Sequence, residues 1–327
     1  MRIETDVTRL LGIDLPIIQA GMSWASSSPA LPLAVSRAGG LGVIAAGPMR
    51  LSDLEAAVAA VRAGTDASFA VNLPLYRQGV EEAIELLLEL RPPVLVASQG
   101  GPARYLEGFQ EAGVTCLHVV ASEEHAVMGA EAGVDGLVVV GAEAGGHPPP
   151  SGVTSLVILR AIARALPGFP IVASGGFADG ASLLAALSLG AGAAQFGSRF
   201  LLSEEASVHP AYKEMVLGIG VDGTRLVGRG LGVIRAAGND FTARMDELEA
   251  AGADLDERRR EFTRGTLKMA ALEGNVRDGK VEAGQSAGIV DSILPAAEIV
   301  ASIVAEYQDA ANRVPLIKED RADVRSH

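Results

Sequence analysis

Residues 170–200 read PIVASGGFADGASLLAALSLGAGAAQFGSRF, and the punctuation of this stretch decides the fold. A short apolar run at 170–173 ends in Ser174-Gly175-Gly176. An Ala/Leu-rich stretch of helical spacing, 181–189, follows Asp179, a side chain suited to an N-cap, and a second short run at 193–196 ends in Gly197-Ser198-Arg199. Strand, glycine turn, helix and strand in so short a span make a βα repeat. Such a repeat implies a parallel sheet, because the helix returns the chain to the edge from which the strand started.

Outward from this stretch the same alternation runs back to the start of the chain. Strands are predicted at 17–20, 41–45, 69–72, 94–97, 116–120, 136–140, 170–173 and 193–196. Helices are predicted near 29–37, 52–62, 80–90, 103–111, 123–131, 153–166, 181–189 and 210–217. Ser52, Ser122 and Asp179 stand at N-cap positions, and Gly39, Gly113, Gly133 and Gly190 follow helix ends. Eight consecutive units predict an α/β fold, a (β/α)8 TIM barrel, with a doubly wound open sheet as the competitor. The barrel is expected over 1–217. Residues 218–294, with glycine-rich turns and then a charged, exposed helical segment at 245–264, are expected to form a mostly helical appendage acting as a substrate or lid region. Residues 295–327 are expected to supply a C-terminal helix at 295–307 that packs back on the barrel, and a polar tail that frays.

Composition limits the function. With 49% hydrophobic residues in 327, the core is ample for one large domain. Twenty-seven Lys+Arg against 40 Asp+Glu give a net charge of −13, which offers no electrostatic footprint for nucleic acid or an anionic membrane surface. No apolar run approaches the roughly 20 residues of a membrane span. The opening MRIETDVTRLLG lacks a signal-peptide core, so a cytoplasmic location is expected. The single cysteine, Cys116, has no intrachain partner and lies within a strand, where an inert thiol is expected. No histidine or carboxylate cluster has metal spacing, so no metal is expected.

In a barrel of this kind, chemistry belongs at the C-terminal ends of the strands. There the sequence places Gly21-Met22 after strand one, Asn72 at strand three, Ser98-Gln99 after strand four, and Glu143-Ala144-Gly145-Gly146-His147 after strand six. The glycine turns after strands seven and eight suit a phosphate held by backbone amides and Ser198, with Arg199 left open; they also suit close packing at barrel corners. His147 stands in a loop before Pro148-Pro149-Pro150, outside any apolar run, and is the candidate functional histidine. His118 inside strand five, His125 on a helix surface and His209 at a helix start read as structural. Glu143 either bonds a cofactor or caps a turn. Gly39-Gly40-Leu41-Gly42 looks like a dinucleotide loop, but it precedes a strand where such a loop should follow one.

Five segments together form a specific pattern: PIIQAGMSWASSSPALPLAVSRAGGLGVIAAG (16–47), FAVNLPLY (69–76), GAEAGGHPPPSG (141–152), the opening stretch extended through LLSEE, and EGNVRDGKVEAGQSAGIVDSILPAAEIVASIVAE (273–306). The chain resembles the FMN-dependent nitronate monooxygenase (2-nitropropane dioxygenase) superfamily, which also holds flavin-dependent enoyl-acyl-carrier-protein reductases and NADH:quinone reductases. The resemblance implies FMN at the barrel mouth, its phosphate on Gly175-Gly176 and Gly197-Ser198 with Ser174 and Gln195 beside it. Gly21, Met22, Asn72, Gln99, Glu143 and Gly146 would lie near the flavin, and His147 matches the family's catalytic histidine.

The implied activity is oxidation of alkyl nitronates or nitroalkanes with O2. The alternative is reduction of an enoyl thioester or quinone, with NAD(P)H as candidate reductant. QAGMSW and EAGQSAGIV look like the reductase branch, whereas the three prolines after His147 depart from both branches. A flavin-free isomerase or synthase acting on a phosphorylated metabolite is the reading of another class. The expected partner is a small-molecule substrate, and a homodimer is among the assemblies the sequence allows.

Overall fold

The computed structural model describes residues 2–315. Eight parallel strands, β1 (Ile17–Gln19), β2 (Gly42–Ala45), β3 (Phe69–Pro74), β4 (Val94–Ser98), β5 (Thr115–Val120), β6 (Gly136–Val140), β7 (Ile171–Ser174) and β8 (Ala193–Phe196), pair in chain order. β8 pairs back on β1 through Ala194 and Ile17, and a bridge between Ile18 and Leu41 joins β1 to the start of β2. That return removes the open-sheet alternative, since a doubly wound sheet has no pairing between its first and last strands. The fold is the TIM barrel with an appendage.

Alternation along the strands sorts the core into two layers. Ile18, Val43, Ala70, Val96, Leu117, Val138 and Val172 fill the barrel interior, which is joined by Val7 and Leu11 of an N-terminal helix, Asp6–Leu11. Their neighbours Ile17, Ile44, Val71, Leu95, Cys116, Val139 and Ala173 face the helical ring. This is period two read on a curved sheet, and each fully buried Val, Leu or Ile contributes about 1.5–3 kcal/mol.

Several expectations are corrected. Ser52 is not an N-cap: its helix starts at Leu51, with Arg50 in the cap position and no side-chain bond. Ser122 and Asp179 do cap, accepting from His125 N (3.2 Å) and Ser182 N (2.7 Å). The helix at 103–111 is a 3-10 turn, Pro102–Arg104, followed by a helix over Leu106–Glu111. The helix at 153–166 is shorter, Ser155–Ala165. The eighth unit gains a short helix, Ser198–Leu201, directly on the Gly197 turn and ahead of the helix Pro210–Leu217.

The appendage departs furthest from expectation. It contains an antiparallel hairpin, β9 (Thr224–Val227) and β10 (Ile234–Ala237), that alternation did not reveal. The charged segment is two helices, Asp240–Ala250 and Leu255–Arg264, parted near Gly252. Leu255–Arg264 buries no residue, as expected of an exposed face. Met245 and Phe241 are instead fully buried in a small core with Val227 and Ile234, because the hairpin gives the first helix a surface to cover. The helix Ala296–Arg313 lies on the helix Gly180–Ser188, so close that residue 180 has no room for a Cβ, and Glu306 accepts from Gly180 N at 2.9 Å. The polar tail from residue 316 lies outside the described residues. Among those described, no helix is long and apolar enough to cross a membrane, and no group of His, Cys, Asp and Glu is placed to hold a metal.

Candidate active site

A cavity of about 280 Å³ opens at the C-terminal ends of the strands. Its wall includes every candidate site residue: Gly21, Met22, Asn72, Gln99, Glu143, Gly146, His147, Ser174, Gly175, Gly176, Gln195, Gly197 and Ser198.

The barrel side is fixed by local geometry. A Cβ on residue 21 would lie 2.6 Å from the Cβ of Asn72, so glycine there admits the asparagine. Asn72 Nδ2 donates to Val96 O at 2.9 Å, which orients the amide. Gln195 Nε2 donates to Ser174 Oγ at 2.9 Å and ties the β8 end to the β7 end.

The turn glycines separate by cause. Gly175 and Gly176 have φ of +91° and +86°, a region that favours glycine, and a Cβ at 175 would crowd Gly141 O at 3.0 Å. Gly197 has an ordinary φ of −94°, and its nearest neighbour to an added Cβ is Ala20 Cβ at 3.9 Å. Packing therefore explains Gly175 but not Gly197, whose bare face borders the cavity. Space reserved beside a backbone turn and a hydroxyl fits a phosphate. Ser198 Oγ accepts from Gly284 N at 2.9 Å and keeps its O–H to donate. Arg199 does not line the cavity: it is buried, with Nη1 donating to Ser292 O at 3.0 Å.

The loop after β6 is held by the appendage. Gly146 exchanges backbone bonds with Arg235 of β10, its N–H donating to Arg235 O (3.1 Å) and its carbonyl accepting from Arg235 N (2.7 Å). The buried Arg235 guanidinium donates twice to Ala142 O, at 3.2 and 2.9 Å, and once to Thr224 Oγ1 at 3.0 Å. Gln285 N donates to Glu143 O at 3.0 Å, and a Cβ at 145 would meet Ala283 C at 2.5 Å. Glu143 accepts from Ser155 N at 2.9 Å, so it caps the helix Ser155–Ala165 while still facing the cavity.

His147, at the end of this clamped loop, has solvent access within a concave mouth. Desolvation by the surrounding wall, and then the Lys280 cation, lower its pKa below the ordinary imidazole value of 6.5, so it is neutral at pH 7. The other described histidines have structural partners or none of the site's features. His118 Nδ1 meets Tyr105 Oη at 2.9 Å in the interior, His209 Nδ1 accepts from Ala211 N at 3.1 Å, and His125 is exposed on its helix. Burial, and secondarily Asp135, push the Cys116 thiol up to about 12, the expected inert state.

Sequence reasoning missed Tyr76, Tyr212, Leu267, Glu282 and Ser286, which also line the cavity. Glu282 and Ser286 lie within the motif EAGQSAG (282–288) that contributes to the family resemblance; that motif was the available signal. Burial raises the Glu282 carboxyl to about 7, with Lys280 pulling in the other direction.

Comparison with known proteins finds similarity along most of the chain. The family model described as nitronate monooxygenase matches residues 4–84 and 75–306. A carboxyl-CoA dehydrogenase of Mycobacterium tuberculosis, whose named substrate is a 5-hydroxy-7a-methyl-1-oxo-octahydro-indene thioester, is 32% identical over 93% of this chain and 96% of its own. A nitronate monooxygenase of Pseudomonas aeruginosa is 36% identical over 64% of this chain and 73% of its own. The structure of FabK from Thermotoga maritima superposes with a TM-score of 0.89 at 35% identity, covering 95% of this chain and 98% of that one.

Proposed function

The chain belongs to the nitronate monooxygenase family, within the FMN-dependent superfamily that includes enoyl reductases, and from that premise we propose that its substrate is an acyl thioester. The family makes it a flavin-dependent oxidoreductase. Near full-length superposition on FabK carries the enoyl-reductase reading over the nitronate one, and the CoA dehydrogenase adds a second thioester enzyme among its relatives. Nitronate oxidation remains the second reading, on the strength of the family model and the Pseudomonas relative.

Bound FMN would supply two-electron exchange with substrate at its ring N5. In this reading Gly175, Gly176, Gly197 and Ser198 hold the phosphate. Gly21, Met22, Asn72, Gln99, Glu143, Gly146, Ser174 and Gln195 line the remainder of the flavin site. A neutral His147 is a poor source of a full proton, but its N–H is a good donor to a thioester oxygen that gains charge. In the reverse direction its free nitrogen can accept the α-proton. Arg235 holds the loop that aims it.

The test is anaerobic reduction of the bound flavin. NADH or NADPH should bleach it, and a crotonyl thioester should restore the colour. Bleaching by a small alkyl nitronate, with none by either nicotinamide, would return the nitronate reading to first place.

A further inference from the structure

The cavity contains one carboxylate that the protein itself does not satisfy. Glu282 lies on the appendage segment that roofs the site, its backbone bridged to Ala236 of β10 and its carbonyl accepting from Tyr212 Oη at 2.9 Å. Those bonds fix the main chain and leave the side chain at the cavity wall. A Cβ on residue 146 would stand 3.1 Å from Glu282 Oε2, so the carboxylate rests against the glycine that precedes His147.

Among the described residues no hydrogen-bond donor reaches that carboxylate, and the one cation acting on it is Lys280. Lys280 Nζ lies 3.6 Å from the centroid of the Phe262 ring, which engages it elsewhere. The other titratable groups around the site offer little. Tyr212 spends its hydroxyl on the Glu282 carbonyl, Tyr76 lines the same cavity and is raised in pKa by burial and then by the Glu282 charge without hydrogen-bonding it, Glu143 is occupied by Ser155, and His147 is neutral. A half-buried carboxylate without a donor is costly, and an apolar residue of the same length would fill the position at no such cost.

Resting on the reading of this cavity as the substrate site, we infer that Glu282 is a specificity-determining residue whose carboxylate receives a hydroxyl or amide N–H of the substrate and turns away anionic head groups. An acceptor with no donor of its own completes its hydrogen bonding only when a ligand supplies one. An anion brought to the same wall meets like charge. Ionisation through about pH 7 sets the sense of the effect: donor-bearing ligands gain affinity as pH rises, and anions lose it.

The experiment is calorimetric titration of the purified holoprotein with three probes of one carbon skeleton, crotonamide, methyl crotonate and crotonate, at pH 6 and pH 8.5. At pH 8.5 crotonamide should bind about 10-fold more tightly than methyl crotonate, and crotonate should weaken about 10-fold between the two pH values. Glu282→Gln, nearly isosteric, should erase the pH dependence of crotonate binding, and Glu282→Met should erase the preference for the amide. Because His147 also titrates on the acid side, a pH dependence that survives in Glu282→Gln belongs to the histidine and overturns the inference. Equal affinities for amide and ester in the unmodified protein, or no binding by any probe, also overturn it. Absorbance of the same samples reports flavin content. A colourless protein defeats the flavin reading while the calorimetry still reads selectivity, and a yellow protein with flat selectivity defeats the inference alone.

Discussion

The turns after β7 and β8 and the segment from Lys280 to Ser286 line one cavity by opposite means. Each turn sits at the end of a strand whose register is set by continuous ladders on both sides, so Gly175, Gly176, Gly197 and Ser198 are placed by the barrel sheet itself. The segment arrives from the appendage and is fastened by separate bonds: Ala237 N to Val281 O (2.8 Å), Gly284 N to Ser198 Oγ (2.9 Å) and Gln285 N to Glu143 O (3.0 Å). A floor made by ladders is rigid and suits a resident cofactor. A roof made by a few bonds is where one such chain can differ from another, and it suits substrate choice. Substitutions in the floor should therefore empty the site, and substitutions in the roof should alter turnover or selectivity in a protein that stays loaded.

The largest expected effect follows from the floor. Gly197→Val should abolish FMN retention, because the added side chain fills space that no protein atom uses. Flavin released on denaturation, set against circular dichroism of the same sample, checks this. A folded, fully yellow variant would break the assignment of floor to cofactor. His147→Ala should keep its flavin and lose on the order of 10²-fold in kcat. In the direction where His147 accepts the α-proton, kcat/KM of the unmodified protein should fall on the acid side only below pH 6.5, since the imidazole pKa is shifted downward.

The division between floor and roof also separates what the sequence made legible from what it did not. The barrel was legible because each unit carries its own signals: an apolar run, a glycine turn and a helix with a cap. The candidate floor residues follow from counting to the strand ends. His147 was legible because a loop histidine between glycines and prolines has no packing role to claim it. Gly197 was not separable from Gly175 by sequence, since the two turns read alike and only the backbone φ and the space around each tell them apart. The hairpin β9–β10 escaped because Thr224-Arg225-Leu226-Val227 buries its two ends and exposes its middle, without strict alternation. Glu282 and Arg235 escaped for a related reason. A glutamate among glycines and an arginine in a short strand become functional candidates only when the loop after β6, 93 residues from Arg235 and further still from Glu282, is folded against them.

Arg235 tests the seam between the two regions. Arg235→Lys keeps a charge but cannot donate two bonds to Ala142 O, and it should lower kcat about 10-fold at constant flavin content. If the arginine acts by aiming His147, the same change in a His147→Ala background should cost much less, a non-additivity that simple loss of stability would not produce. Equal losses in both backgrounds would make Arg235 a structural residue only.

The smallest effect expected is on stability, and the two regions should respond to pH in opposite senses. In the barrel, burial lowers the His118 pKa below 6.5, so the unfolded chain binds the proton more readily and the contribution of His118 is present above pH 6.5 and lost as pH falls. In the appendage, burial raises Glu282 from 4.5 to about 7. Its contribution is therefore present below pH 4.5 and lost as pH rises toward 7. Thermal unfolding with FMN at a fixed excess separates the two. Relative to the unmodified protein, Glu282→Gln should gain a few degrees in Tm at pH 8 and little at pH 4.5, whereas His118→Gln should gain at pH 5.5 and not at pH 8. Lys280 draws the Glu282 carboxyl back toward ionisation, so removing that cation with Lys280→Met should deepen the alkaline loss. Were Lys280→Met instead to leave the pH profile of Tm unchanged, the roof carboxylate would be more open to water than its setting against Gly146 indicates, and its hold on a substrate donor would weaken accordingly.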